Sequence, residues 1–168
     1  MFRIGETVSY GAEGLCSITA IEEMKLGGTK GKYYVLKPIY RPNATVYVPA
    51  ENELLVGRMH PVLSAQEIHE LLIKAAREES FWIEDANERR TQYSKLLLTG
   101  DRYGVARMIL ALFGKRQQLS AAGKRLRNGD DQFLREGEKL LYEEFAYVLD
   151  IPRKDVAEYV QRIFAENV

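Results

Sequence analysis

The hydrophobic pattern of this chain changes between Pro49 and Pro61. Before Pro49, apolar and polar residues alternate in short runs rich in β-branched and aromatic side chains, at residues 7–10, 15–21, 33–39 and 45–48. After Pro61, apolar residues recur at the spacing of an amphipathic helix. Alternation suits a strand with one buried face, and the longer spacing suits a helix with one buried stripe. The sequence therefore predicts an α+β fold in which antiparallel strands precede an all-helical part.

The predicted strands are short and closely spaced, so residues 1–55 are expected to form a small domain of their own. Each connection contains residues that tolerate turn geometry, such as Gly14, Gly28 and Pro42. We expect four or five such strands to curl into a small antiparallel β-barrel with a thin core. Cys16, the single cysteine, lies in an apolar run and is expected in that core. An edge strand at residues 45–48 is expected to be exposed or to pair with a partner.

Residues 62–168 are predicted to form a helical domain. Ser64 followed by Glu67 is a capping-box pattern ahead of an apolar stripe, which predicts the start of the first helix. Further helices are expected over about residues 79–98, from Asp101, over 120–127, after a break at 128–130, and after Pro152. Trp82 would then lie on the second helix.

Lysine and arginine are concentrated in one stretch of a chain whose formal net charge is zero. Residues 89–127 hold ten basic residues against one acid, whereas residues 64–88 hold two against seven and residues 128–168 hold five against ten. Such segregation is typical of a face that binds a polyanion. The alternative is that basic and acidic segments neutralise one another across helix contacts. The candidate DNA contacts within the stretch are Arg89, Arg90, Lys115, Arg116, Lys124 and Arg125.

Patterns that would indicate an enzyme or a metal site are absent from the sequence. The two histidines, His60 and His69, stand in no ligand pattern with Cys16, and no His-Glu-x-x-His occurs. The glycines of residues 27–32 have the wrong spacing for a phosphate loop, and a hairpin turn explains them better. We therefore expect no catalytic activity, no metal and no cofactor. The lack of an apolar signal core or membrane-spanning run predicts a cytoplasmic protein.

Short motifs follow one another in a characteristic order along almost the whole chain. They are Phe2–Tyr10 with Gly5 and Val8, then Gly14, residues 34–38, residues 46–49, Arg89-Arg90, Tyr93, Thr99-Gly100-Asp101 and residues 138–149. In this order they resemble the CarD/CdnL family of bacterial transcription regulators. No single motif is specific, but the order is.

The resemblance implies a Tudor-like N-terminal domain, shared with the transcription-repair coupling factor, that binds the β subunit of RNA polymerase. It also implies a helical domain that contacts promoter DNA with little sequence specificity. Family members hold the upstream edge of the transcription bubble, with a tryptophan wedged in the minor groove, and so stabilise the open complex. The protein is accordingly expected to be a monomeric, nucleoid-associated regulator of initiation.

Some predicted contacts differ from those of well-known family members. Tyr47 stands where those members have an arginine, and a second polymerase-contacting arginine would fall near Met24. Trp82 is the predicted wedge, although the wedge position of some members falls at Ala86. Four residues are about one helical turn, or ~6 Å, so a shifted wedge would keep nearly the same helix face. The predicted polymerase contacts are Met24, Thr45, Val46, Tyr47, Val48 and Pro49.

Two alternatives stay open at this point. Trp82 is surrounded in sequence by acids such as Glu84 and Asp85, which suits a packing tryptophan rather than a wedge. The protein as a whole could also be a small-barrel adaptor that binds RNA or another protein, with residues 89–127 neutralising acidic helices. Copurification with polymerase separates this adaptor from a regulator of initiation.

Overall fold

The computed structural model describes residues 1–167, apart from the side chain of residue 29. The chain divides into two compact units, Met1–Val62 and a second that begins at Leu63. Strands dominate the first unit and helices the second, so the predicted α+β class is confirmed. None of the described helices combines the length and apolar character needed to cross a bilayer.

The first unit contains a five-stranded antiparallel sheet with the strand order β4-β3-β2-β1-β5. A short helix, α1, spans Glu53–Val56 between β4 and β5, and a 3-10 turn spans Gly11–Glu13 between β1 and β2. Alternating sequence and glycine-bearing turns produce the first four strands near their predicted positions. The strands are β1 Thr7–Tyr10, β2 Gly14–Leu26, β3 Thr29–Pro38, β4 Val46–Pro49 and β5 Met59–Pro61.

The predicted barrel is wrong, because the sheet is not closed. A barrel closes when its two outer strands pair with each other. Here β4 pairs with β3 through Tyr33–Leu36 partners, and β5 pairs with β1. Within residues 1–167 these outer strands, four and three residues long, are the two ends of the sheet. The sheet is therefore open.

Strands β2 and β3 form the longest ladder, which runs from the Cys16 and Pro38 pair to the Leu26 and Thr29 pair. The register shifts between Ile18 and Ala20, which marks a β-bulge. β1 pairs with β2 only as far as Ser17. The part of β2 nearest the β2–β3 turn therefore has β3 as its sheet neighbour.

The core of the first unit lies against one face of this sheet. It includes Val8, Cys16, Ile18 and Leu36, each of which is fully buried. The prediction that Cys16 is a core residue is confirmed. Burial raises the pKa of its thiol to about 12, so the side chain stays a neutral, unreactive thiol.

Five α-helices build the second unit around one large hydrophobic core. The predicted capping box is confirmed, since the Ser64 hydroxyl accepts from the Glu67 N–H and the Glu67 carboxylate accepts from the Ser64 N–H. Asp101 likewise caps its helix by accepting from the Gly104 N–H. The helices are α2 Ala65–Arg77, α3 Ala86–Thr99, α4 Arg102–Ala121, α5 Asn128–Leu149 and α6 Arg153–Asn167.

Two helix boundaries differ from the predicted ones. α3 begins at Ala86 rather than near residue 79, because the Asp85 carboxylate accepts from the Glu88 N–H and caps the helix there. Residues 128–130 form the first turn of α5 and are not a break, and no separate helix covers 120–127. The chain leaves the helical conformation at Gly123, whose φ of 72° lies in the left-handed region.

Candidate functional site

Trp82 lies in a non-helical loop, residues 80–85, between α2 and α3. Side chains from α3 hold this loop. The Tyr93 hydroxyl donates to the Phe81 carbonyl at 2.7 Å, and Arg89 Nη1 donates to the carbonyls of Ile83 at 2.7 Å and Glu84 at 3.3 Å. Burial raises the pKa of Tyr93 to about 12, so its hydroxyl stays protonated and continues to donate. The loop conformation is therefore set by side chains rather than by a helical backbone ladder.

Arg89 forms a buried, bidentate ion pair with Asp130 in the first turn of α5. Its Nε and Nη2 atoms donate to the two carboxylate oxygens at 2.8 and 3.0 Å. The two residues are only 5% and 7% exposed, respectively. The pair keeps both side chains largely out of solvent. The structure therefore places this predicted DNA contact in a buried ion pair.

The half-buried Trp82 indole lies next to two cations. The Arg89 guanidinium carbon is 4.2 Å from the ring centroid, and Lys115 Nζ is 5.0 Å from it. Both distances fall in the range of cation–π attraction. The indole N–H is buried and has no hydrogen-bond partner among the described residues. An unsatisfied buried donor costs about 1–3 kcal/mol, so an acceptor brought to this place would be stabilised.

Trp82 and Lys115 line a recess of about 380 Å³, which we call the basic recess. Lys124, Arg125 and Arg127 reach it from the exposed connection between α4 and α5. Within residues 1–167, no carboxylate pairs with any of these four cations. The basic recess therefore combines unpaired positive charge with an aromatic ring. Its remaining walls come from Glu84, Arg89, Leu119, Leu126 and Asp130.

Other basic residues of the stretch serve the interior of the helical unit. Arg102 pairs with the buried Glu144 at 2.8 Å, and Glu144 also accepts from the Leu63 N–H at 3.0 Å. The Arg107 guanidinium carbon lies 4.8 Å from the Phe81 ring centroid, and Arg107 Nη2 donates to the Glu79 carbonyl at 3.2 Å. Neutralisation by acidic helices, one of the two alternatives open from the sequence, thus accounts for Arg89 and Arg102.

The structure gathers only part of the predicted DNA-contacting set. Trp82, Lys115, Lys124 and Arg125 line the basic recess together. Arg90 and Arg116 are exposed but do not line it, and the Arg116 guanidinium lies over the Phe113 ring. Arg127 is a lining residue that was absent from the candidate set. Its position in the same run of bases as Lys124 and Arg125 was the only sequence signal for it.

The prediction that Trp82 lies one turn from Ala86 on the same face of one helix is wrong. Trp82 precedes the N-cap of α3 at Asp85, so it does not share a helix face with Ala86. The position of Trp82 is therefore set by a loop and not by a helix.

The edge strand β4 contains most of the predicted polymerase contacts. Tyr47 is its exposed residue, at 42% exposure, whereas the Val48 side chain is fully buried in the core. Val46 and Pro49 are half-buried, and Thr45 accepts a hydrogen bond from the Lys37 ammonium group. Met24 is half-buried near the tip of the β2–β3 hairpin, opposite Gly31. Along β4, Tyr47 is therefore the side chain that a partner would meet first.

Residues 2–63 match the family model of the CarD-like/TRCF RID domain. Over these residues the chain is similar to the CarD-like/TRCF RID domain. The match ends at the boundary between the two structural units and includes all five strands. The resemblance drawn from the sequence is thereby confirmed for this region. The match indicates an interaction with RNA polymerase and a transcription-related role.

Proposed function

We propose that the protein regulates transcription initiation by binding the polymerase β subunit through the RID domain and promoter DNA through the helical unit. The DNA contact lies at the upstream edge of the bubble, and it stabilises the open complex. The observation that supports the DNA contact is the basic recess, which is lined by Trp82 and by four cations without carboxylate partners among residues 1–167.

The basic recess is better suited to contacts with the DNA backbone than to contacts with base edges. Lys115, Lys124, Arg125 and Arg127 provide charge for phosphates, and phosphate contacts carry no direct sequence information. DNA binding by this surface is therefore weak, largely independent of sequence and strongly dependent on salt. Arg90 and Arg116, both exposed, extend the same charge beyond the recess.

Trp82 supplies the part of the contact that distinguishes a bubble edge from uniform duplex. An apolar side chain inserted at a base step partly unstacks it, and the cost is smallest where the helix already opens. The ring is half-buried, so part of it is accessible from solvent. In this proposal Trp82 contacts the fork while the surrounding cations contact phosphates.

The decisive experiment measures the lifetime of open promoter complexes formed by purified polymerase, with and without the protein. Wild type is expected to lengthen the lifetime. Trp82→Ala is expected to reduce this lengthening of the lifetime about tenfold, since aromatic contacts with a base are worth about 1–3 kcal/mol. Tyr147→Ala, which removes an exposed aromatic ring on α5, serves as the matched control. A folded Trp82→Ala protein that binds polymerase and stabilises open complexes fully would contradict the role given to Trp82.

On the polymerase side, the exposed edge of β4 is suited to pairing with a strand of the β subunit. Tyr47→Ala is expected to weaken polymerase binding about tenfold, because a large aromatic residue at an interface centre is a frequent hot spot. Affinity is measured with the β subunit alone, and circular dichroism checks the fold. Tyr147→Ala is again the control, and equal affinities of both variants and wild type would exclude the Tyr47 contact.

A further inference from the structure

We propose that Arg89 is the positioning residue of Trp82, and that the Arg89–Asp130 pair sets the orientation in which the tryptophan meets DNA. The inference rests on the proposed function, in which Trp82 contacts the fork. Arg89 is the most buried base of the basic stretch, and phosphate binding does not explain why it is buried. Positioning Trp82 gives this residue a role.

One guanidinium group joins three parts of the helical unit. Its Nε and Nη2 atoms are fixed by the Asp130 carboxylate at the start of α5, and its Nη1 atom donates to the carbonyls of Ile83 and Glu84. Its carbon stands 4.2 Å from the Trp82 ring centroid. The same planar group thus holds the backbone on the C-terminal side of Trp82 and contacts the ring itself.

Apart from the packing of Phe81, Trp82 and Ile83 against the hydrophobic core and the Lys115 contact with the ring, few interactions fix the indole. Residues 80–85 are not helical, so they lack the repeated backbone hydrogen bonds that would hold a side chain on α3. The backbone N–H of Trp82 donates to the Ser80 hydroxyl at 3.3 Å, which is a bond within the loop and gives no link to a helix. Arg89 and Tyr93 supply such links, and of these two Arg89 touches the indole.

Arginine is required because the geometry uses its planar fork. A lysine has one compact ammonium group on a flexible stem, so it keeps the charge opposite Asp130 but cannot hold the two carboxylate oxygens and the loop carbonyls at once. Arg89→Lys therefore preserves the ion pair in a reduced form and removes the fixed plane against the indole. This makes it a conservative test of positioning.

The test compares wild type, Arg89→Lys, Trp82→Ala and the double variant, all as full-length proteins. Because Trp82 is the only tryptophan, its fluorescence reports on this loop alone. Arg89→Lys is expected to shift the emission to longer wavelength and to increase quenching by acrylamide. It is expected to reduce open-complex lifetime about tenfold, as Trp82→Ala does, with polymerase affinity unchanged. The double variant is expected to be no worse than Trp82→Ala, since positioning acts only through the ring.

Arg102→Lys is the matched control, because it weakens another ion pair to α5 that does not line the basic recess. It is expected to lower stability while leaving Trp82 quenching and open-complex lifetime unchanged. The proposal is overturned if Arg89→Lys leaves the quenching unchanged, or if it adds a further loss of lifetime to Trp82→Ala. If Arg89→Lys does not fold, Asp130→Asn provides the same measurements with one carboxylate oxygen replaced.

The two proposals fail in different ways. If wild type does not stabilise open complexes, the proposed function is wrong, whereas the fluorescence comparison, made without polymerase, still decides whether Arg89 fixes Trp82. If open complexes respond to Trp82→Ala but not to Arg89→Lys, the function stands and the positioning role is wrong.

Discussion

Asp130→Ala is expected to lower the free energy of unfolding of the helical unit by about 3–5 kcal/mol. The change removes one partner of a buried ion pair and leaves the Arg89 guanidinium, which is 5% exposed, without its carboxylate. Both bonds of the bidentate contact are lost, and the buried guanidinium keeps its charge without the carboxylate. Urea denaturation followed by far-ultraviolet circular dichroism gives the free energy directly.

The neighbouring residue provides the control for this prediction. Asp131 pairs with Arg135 on the surface of the same helix, and their side chains are 41% and 73% exposed. Asp131→Ala is therefore expected to change stability by less than about 1 kcal/mol. Both substitutions remove one negative charge from the first turn of α5, so their shared effect on the helix dipole cancels in the comparison. Equal losses for the two variants would show that burial of the Arg89–Asp130 pair contributes little.

Neutralising four predicted DNA contacts at once is expected to change the salt dependence of DNA binding. The variant carries glutamine in place of Lys115, Arg116, Lys124 and Arg125. If each of these contacts one phosphate of duplex DNA, the slope of log affinity against log salt concentration decreases in magnitude by about 3–4, at about 0.9 per phosphate. Affinity at low salt falls accordingly. Fluorescence anisotropy of a labelled duplex at several salt concentrations measures both quantities.

A second variant with the same change in total charge distinguishes the loss of phosphate contacts at the basic recess from the loss of positive charge on the protein as a whole. Lys25, Lys30, Lys139 and Lys154 are exposed and lie outside the basic recess. Replacing these four with glutamine is expected to change the slope by less than about 1, because none of them lines the basic recess. An identical slope for the two quadruple variants would contradict a phosphate-binding surface at the basic recess.

Features encoded by neighbouring residues could be predicted from the sequence. The first four strands, the capping box at Ser64 and the start of α4 after Asp101 each depend on side chains within a few residues of one another. Alternation and capping act locally, so a single sequence carries them. The domain match over residues 2–63 rests on the same region of regular pattern.

The candidate site depends on contacts between residues that lie far apart in the chain. Arg89 and Asp130 are separated by 41 positions, so a list of charged residues cannot show that the two neutralise each other. The predicted helix over residues 79–98 missed the loop because the Asp85 cap competes locally with an otherwise helical pattern. Barrel closure could not be judged either, since it depends on which strands become neighbours in space.

The open sheet also limits how the protein can associate with itself. An unpaired strand edge is a template on which identical chains can stack and aggregate. Both edges here are brief, and each edge strand ends in a proline, Pro49 in β4 and Pro61 in β5, which has no N–H to donate. A foreign strand can therefore add only a few main-chain hydrogen bonds. A partner strand that pairs with β4 is therefore expected to gain most of its affinity from contacts with side chains such as Tyr47.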